Sequence, residues 1–453
     1  MSSTLPQNKG SLFTRLKVGL ISELYSPVSA ASLAVFRIIF GALLVWEVYV
    51  FLFEGWAKAF FIDPQVHFKY YGFEWIRALP GDWMYAVFWT MGIAAVCITL
   101  GLFYKAACAV FAVGFAYVFL IDQATYLNHF YLVVLLSGIM FFLPANRIWS
   151  LDRVFFLSGT DRQIPKWSVN FLRLQIGIVY FFAGVAKLNR DWLAGEPMTT
   201  WMSREADLPV LGPFLGNPDF CLFLSYSGLF LDLLALPGLL WKRTRVYTAI
   251  ALALFHLTNI FIFHIGIFPW LMLGTIGLFF SPDWPLRLLR RDPENGKTSE
   301  TPYFRKNQIV VWSLAFYFSI QIFLPIRHVL YPGDVNWTEE GHRFAWRMKL
   351  RDKQVTASFR AVDPHSRDEI QIGPADYLNI YQWNKAKVRP DMLLQFAQMA
   401  ARDLEDRGFG KREIYANVEV SLNFRTSKIL IDPEVDLAEI ERNLLPADWI
   451  IRH

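Results

Sequence analysis

Cysteine and charge are both scarce in this sequence. Only 3 of 453 residues are cysteine, and charged residues make up 18%. Cys97, Cys108 and Cys221 lie in or beside apolar runs, with no CxxC and no His/Cys ligand spacing. They read as buried free thiols, so neither a disulfide framework nor a zinc site is indicated. P-loop, GxGxxG, GxSxG and HExxH motifs are missing, as are internal repeats and low-complexity tracts. No strongly basic domain or groove-reading motif is present, which argues against a nucleic-acid partner. The first apolar run is too long and too late for a cleaved secretory signal and reads as a retained span.

Apolar residues are abundant, at 54%, and aromatics reach 17%. They fall in long runs, which places most of the chain in a membrane. Nine spans are predicted: Ser32–Phe53, Trp83–Phe103, Ala106–Ile121, Phe130–Leu143, Val169–Val185, Leu222–Leu240, Val246–Phe263, Ile265–Phe280 and Ile309–Pro325. Eight is the main alternative count. Alternate loops are rich in lysine and arginine, notably Arg147–Lys166, Lys242–Arg245 and Arg287–Lys306. By the positive-inside rule the N-terminal segment 1–31 is cytoplasmic. The tail after Pro325 and the end of the fifth span at Lys187 then face outside. Residues 281–307 read as a basic linker with no chemistry of their own.

From Leu330 the pattern becomes that of a water-facing domain. Phe344–Leu350, Val355–Val362, Glu369–Ile372 and Ile414–Leu422 alternate like half-buried strands, and Lys428–Ile431 is a candidate partner for the last. Pro390–Leu404 has helical spacing with proline at a first-turn position. The expected architecture is an α-helical polytopic membrane protein with about nine transmembrane helices (32–325) and a small extracytoplasmic α+β domain (326–453).

Charged and polar residues inside the spans are the first functional candidates, because each is expensive there. Lys187 ends an apolar helix that turns polar at Asn189, Arg190 and Asp191. It is either a desolvated base or an interface lysine that snorkels to water. Arg37, Arg173 and Asp232 fall in the inner halves of three spans, and an Arg–Asp–Arg cluster would make their burial tolerable. Glu47 lies toward the outer end of its span, in an outward-facing polar role or simply exposed at the interface. Asn128 and His129 open the fourth span on the side of Lys187. They can hold an oxygen-bearing head group, or simply start a helix. His256 and Asn259 share one helix face, with His264 following. No ligand spacing supports a metal there, and a buried polar pair bonded to neighbouring helices is the commoner reading. Trp337, His342, Trp346 and Met348 open the outer domain, either as an interface belt or as the floor of a substrate cleft.

Several stretches, in this order and spacing, resemble the vitamin K-dependent γ-glutamyl carboxylase family in its short bacterial form, the horizontally transferred transmembrane domain type. They are SLAVFR at Ser32–Arg37, LPGDWMY at Leu79–Tyr85, NH-F-YL at Asn128–Leu132, YFFAGVAKLNRDWLAG at Tyr180–Gly195 and FHLTN at Phe255–Asn259. SPDWP at Ser281–Pro285, NWT at Asn336–Thr338, PDML at Pro390–Leu393 and IDPEVDL at Ile431–Leu437 continue the series. The resemblance covers nearly the whole chain from Ala31. It implies that Lys187 is the base that deprotonates vitamin K hydroquinone. O₂ then yields a strong alkoxide base that removes a γ-proton from a peptidyl glutamate, the carbanion adds CO₂, and the quinol leaves as the epoxide. Asn128, His129, His256 and Asn259 match positions at the quinol, and Trp337, Trp346 and Met348 match the segment bordering the glutamate. No metal is implied. The co-substrates are the reduced quinone, O₂ and CO₂; the partners are a glutamate peptide and membrane lipid, in a bacterial inner membrane. The animal enzymes continue well past the point where this chain stops, and Glu339–Phe344 is more charged than their counterpart. Quinol epoxidation without carboxylation is therefore the first alternative, and a non-catalytic transporter or structural membrane protein the second.

Overall fold

The computed structural model describes residues 19, 21–157, 162–205, 207, 212–263, 265–291 and 307–453. Much of segment 1–31, His264 and much of linker 281–307 lie outside the described residues. The membrane part is built from α1 (Ala31–Phe53), α2 (Trp83–Leu100), α3 (Tyr104–Ile121), α4 (Asn128–Phe142), α5 (Trp167–Lys187), α6 (Pro218–Leu240), α7 (Arg245–Phe263), α8 (Phe268–Ile276) and α9 (Gln308–Ile326). Among the described residues, seven helices are long and apolar enough to cross a membrane. The predicted fourth and eighth spans coincide with the two shorter apolar helices, Asn128–Phe142 and Phe268–Phe279. Helices suit an apolar medium because every backbone polar group is satisfied within the segment.

Successive helices pack as antiparallel neighbours from α1 to α4, and α5 to α8 form a second group that closes back on α1. Short strands β1 (Pro27–Ser29) and β2 (Gln163–Pro165) pair antiparallel and tie the start of α1 to the start of α5. Gly101 ends α2 in the left-handed conformation at φ +65. A Cβ there would meet the Arg37 guanidinium at 2.0 Å, so glycine satisfies both the turn and the close approach.

Arg37, Arg173 and Asp232 do not form the predicted cluster. Arg37 is fully buried and donates to the carbonyls of Ile98 (3.1 Å) and Trp149 (2.5 Å). Arg173 donates to the carbonyls of Leu278 (2.7 Å) and Phe280 (3.0 Å) and to Asn170 Oδ1 (3.2 Å). Backbone carbonyls at helix ends and, for Arg37, in the bend at Trp149 satisfy each guanidinium, so neither arginine needs a carboxylate. Glu47 is buried, which rules out simple exposure at the interface.

The C-terminal part is an antiparallel sheet in the order β4-β3-β5-β6, from β3 (Lys353–Val362), β4 (Glu369–Ile372), β5 (Glu413–Leu422) and β6 (Lys428–Ile429). β3 and β5 pair over ten residues, from Lys353↔Leu422 to Val362↔Glu413. Helices α10 (Ile380–Ala386) and α11 (Pro390–Leu404) complete the domain. Met392, Leu393, Phe396 and Ala400 of α11 are fully buried in the same core as Phe359, Ile414 and Val418 of the sheet. The predicted strand Phe344–Leu350 is instead a series of turns. Phe344, Trp346 and Lys349 have φ of 62, 57 and 50, which no strand accommodates. The two parts interlock: Trp346 is buried in the helical core, and Phe68 and Ala124 of the membrane part join the core of the sheet domain.

Candidate active site at Lys187

Helix α5 places Lys187 in its last turn, and small residues let α6 approach it. A Cβ on Gly184 would lie 2.8 Å from the Leu233 side chain and 2.9 Å from its backbone nitrogen. This contact brings Lys187 Nζ to 2.5 Å from Asp232 Oδ2, with a second, longer bond of 3.4 Å to the Ala183 carbonyl. Only 8% of the lysine side chain and 5% of the aspartate side chain are exposed. The amine does not reach water, so the snorkelling alternative is overturned. Asp232 is about 21 Å along α6 from Pro218, at about 1.5 Å per residue. The short helices Arg190–Leu193, Met198–Ser203 and Gly212–Leu215 follow Lys187, and Trp192 covers the amine at 5.3 Å from its ring centre. Trp192 Nε1 donates to the Ser225 carbonyl at 2.9 Å, which fixes this cover on α6.

A narrow cavity with about 90 Å³ of free space adjoins the pair. Its polar wall is Lys187, Asp232, Tyr180, His256, Asn259 and Lys349, and its apolar wall includes Phe255, Phe263, Phe268 and three methionines. Tyr180 Oη and His256 Nε2 are 2.7 Å apart. His256 Nδ1 is buried without a hydrogen-bond partner among the described residues, although buried polar atoms are nearly always paired. Among the described residues, no group of three His, Cys, Asp or Glu side chains is arranged to hold a metal.

The sequence candidates divide in this geometry. Lys187, His256, Asn259 and Met348 line the cavity. His129 stands behind Phe268, whose ring centre lies 6.2 Å from each of the His129 and His256 rings. Asn128 accepts from Tyr126 Oη at 3.0 Å and donates to the Arg347 carbonyl at 3.1 Å, so it fastens the outer segment. Trp346 stacks on Tyr131 at 4.9 Å and anchors the same segment in the helical core. Trp337 belongs to the core of the sheet domain, where its Nε1 donates to the Ile451 carbonyl at 2.7 Å. Sequence reasoning missed Tyr180 and Trp192, and gave Asp232 to the wrong partners. Tyr180 and Lys187 are seven residues apart, two helical turns, which could have put both on one face.

Above the cavity the outer segment is held by buried charge. Glu339 is paired with Arg351 and, at 2.7 Å, with Lys353 Nζ. These two cations and the nearby His342 hold the Glu339 carboxyl well below the usual carboxylate range, overcoming the opposing effect of burial. Lys353 is pushed down to about 8, chiefly by burial. Arg343 binds Asp391 of α11 at 2.6 Å. The strained turn 344–349 is thus clamped from both domains.

Two family models match the chain. Residues 25–284 match the HTTM domain, and residues 306–453 match the lumenal domain of vitamin K-dependent gamma-carboxylase. No solved structure matches it. Matched in this order, with the aromatic cavity in the first region and the sheet domain in the second, the chain belongs to the vitamin K-dependent gamma-carboxylase family.

Proposed function

We propose that this chain is a gamma-carboxylase-like membrane enzyme in which Lys187 takes a proton from reduced vitamin K. The observation that carries this reading is the buried Lys187–Asp232 pair on the wall of an aromatic cavity. With one shared proton the pair has no net charge, which limits the penalty of burial. When that proton rests on Asp232, the amine is free to accept another. The doubly protonated pair is then a cation balanced by the quinol anion beside it. Desolvation alone, the sequence argument for a neutral lysine, is replaced by a proton shared with a carboxylate.

The residues present fit a quinol. His256 Nδ1 lacks a partner and can bond one ring oxygen, while Tyr180 fixes the imidazole through Nε2. The aromatic walls suit a flat apolar ring. The free space is tight, and Met198, Met272 and Met348 are the flexible side chains able to yield to a ring. Bound reduced vitamin K would supply, with O₂, the base for removing a glutamate γ-proton and would leave as the epoxide. The protein's task at that stage is to exclude water, which the Trp192 cover and the apolar wall favour. The outer segment at Met348 faces the same cavity and is the approach for a glutamate side chain. The lysine- and arginine-rich alternate loops favour a cytoplasmic N-terminus, and nine passes, counting the two short helices, would put the sheet domain on the opposite side.

The test uses the purified full chain with reduced vitamin K, O₂, labelled bicarbonate and a glutamate peptide. Epoxide with fixed label is expected. Epoxide alone would reduce the activity to quinol oxidation, and neither product would end the proposal.

A further inference from the structure

Two lysines line the cavity, Lys187 and Lys349. Asp232 neutralises the first. Lys349 has no hydrogen bond or ion pair among the described residues. Its Nζ lies 5.4 Å from the centre of the Trp201 ring and 5.1 Å from that of Phe263. Asp352, the carboxylate whose charge acts on it, is engaged by Trp201 Nε1 at 3.2 Å and Arg204 at 3.5 Å. The backbone at Lys349 is left-handed at φ 50, closing a turn in which Phe344 and Trp346 are left-handed too. Non-glycine residues hold this conformation only where their surroundings enforce it, and such strain gathers at functional sites. Here Trp346 on Tyr131 and Asn128 on the Arg347 carbonyl enforce it. Lys385 of α10, 5.2 Å from the centre of the Tyr381 ring, adds a second amine with no acidic partner among the described residues, and its charge opposes that of Lys349. Lys349 is exposed at the mouth of the cavity, with Asp352 already shared by Trp201 and Arg204, and positive charge at such a mouth attracts anions.

We propose that Lys349 is the residue that binds the carboxylate of the acidic side chain entering from the outer domain. The inference rests on the function proposed above and names the group that selects its substrate. A γ-proton leaves a carbon next to a carboxylate, so the developing negative charge spreads onto that carboxylate. An ammonium ion held there beside the Trp201 and Phe263 rings would both orient the side chain and stabilise the charge. The quinol anion is already balanced by the doubly protonated Lys187–Asp232 pair, so a second cation in the same cavity answers to a different anion. Burial holds the Lys349 pKa below its ordinary value, and a bound carboxylate would restore it.

Titration of the full-length protein with a glutamate peptide and its glutamine counterpart tests this directly. The wild type should bind the glutamate peptide about tenfold more tightly or better. Lys349→Met keeps an apolar side chain between Trp201 and Phe263 and should abolish the preference. Lys349→Arg should retain most of it. No preference in the wild type, or an unchanged preference in Lys349→Met, overturns the assignment. The labelled-bicarbonate assay reports separately on the reaction: peptide discrimination without fixed label sinks the carboxylase reading and leaves Lys349 as an acid-binding residue.

Discussion

Breaking the Lys187–Asp232 pair from either side should do more harm than removing it whole. Lys187→Ala leaves a carboxylate with 5% of its side chain exposed and no cation within reach. Asp232→Asn leaves the reverse, a buried amine without its acceptor. Each single change should destabilise the protein by about 3–5 kcal/mol, because an unpaired buried charge loses its partner and regains no water. Lys187→Met combined with Asp232→Leu replaces both charges by apolar groups of similar size, and stability should return to within about 2 kcal/mol of wild type. The implied coupling is several kcal/mol, far above the ~0.5 kcal/mol expected of independent sites. Denaturant unfolding of wild type, Lys187→Met, Asp232→Leu and the double variant that combines them, in one detergent, measures it. Additive single effects would refute the pair. Epoxide formation should be abolished wherever Lys187 is lost, and reduced by about 10²–10⁴ in Asp232→Asn, the range typical of acid–base groups. Unchanged turnover in Lys187→Ala would refute its role.

Three further outcomes are expected. Gly184→Ala forces a methyl group against the Leu233 backbone and should cost about 1–3 kcal/mol while separating Lys187 from Asp232, read as parallel losses of stability and epoxide formation. Tyr180→Phe removes the partner of His256 Nε2, leaving both ring nitrogens unpaired; a loss of about 1–3 kcal/mol and weaker quinol binding by titration should follow, and full retention of both would show that the hydroxyl does not hold the ring. Glu339 has a lowered folded-state pKa, so its stabilisation is fully present above its ordinary value of 4.5 and is lost as pH falls below that value. Wild type should therefore exceed Glu339→Gln in thermal stability by a margin that shrinks below pH 4.5, and a margin independent of pH would count against the buried cluster.

Local pattern settled much of this molecule. The apolar runs marked the helices because backbone groups in lipid leave few alternatives to a helix. The alternation from Val355 to Val362 and the spacing from Pro390 to Leu404 marked a strand and a helix, because each pattern reports one buried face. Lys187 was visible as a charge at the end of an apolar run. Its partner was not: Asp232 lies 45 residues away, and only the close packing of α5 on α6 across Gly184 gives this carboxylate to Lys187 rather than to Arg37 or Arg173. The turn at 344–349 also eluded the pattern, because its alternation mimics a strand while Trp346 and Asn128, from two parts of the chain, impose left-handed backbone. Sequence by itself determined which segments form apolar helices and which charge is out of place in them. Tertiary structure decided which groups meet, because short-range contacts between side chains depend on helix approach and register that no local periodicity contains.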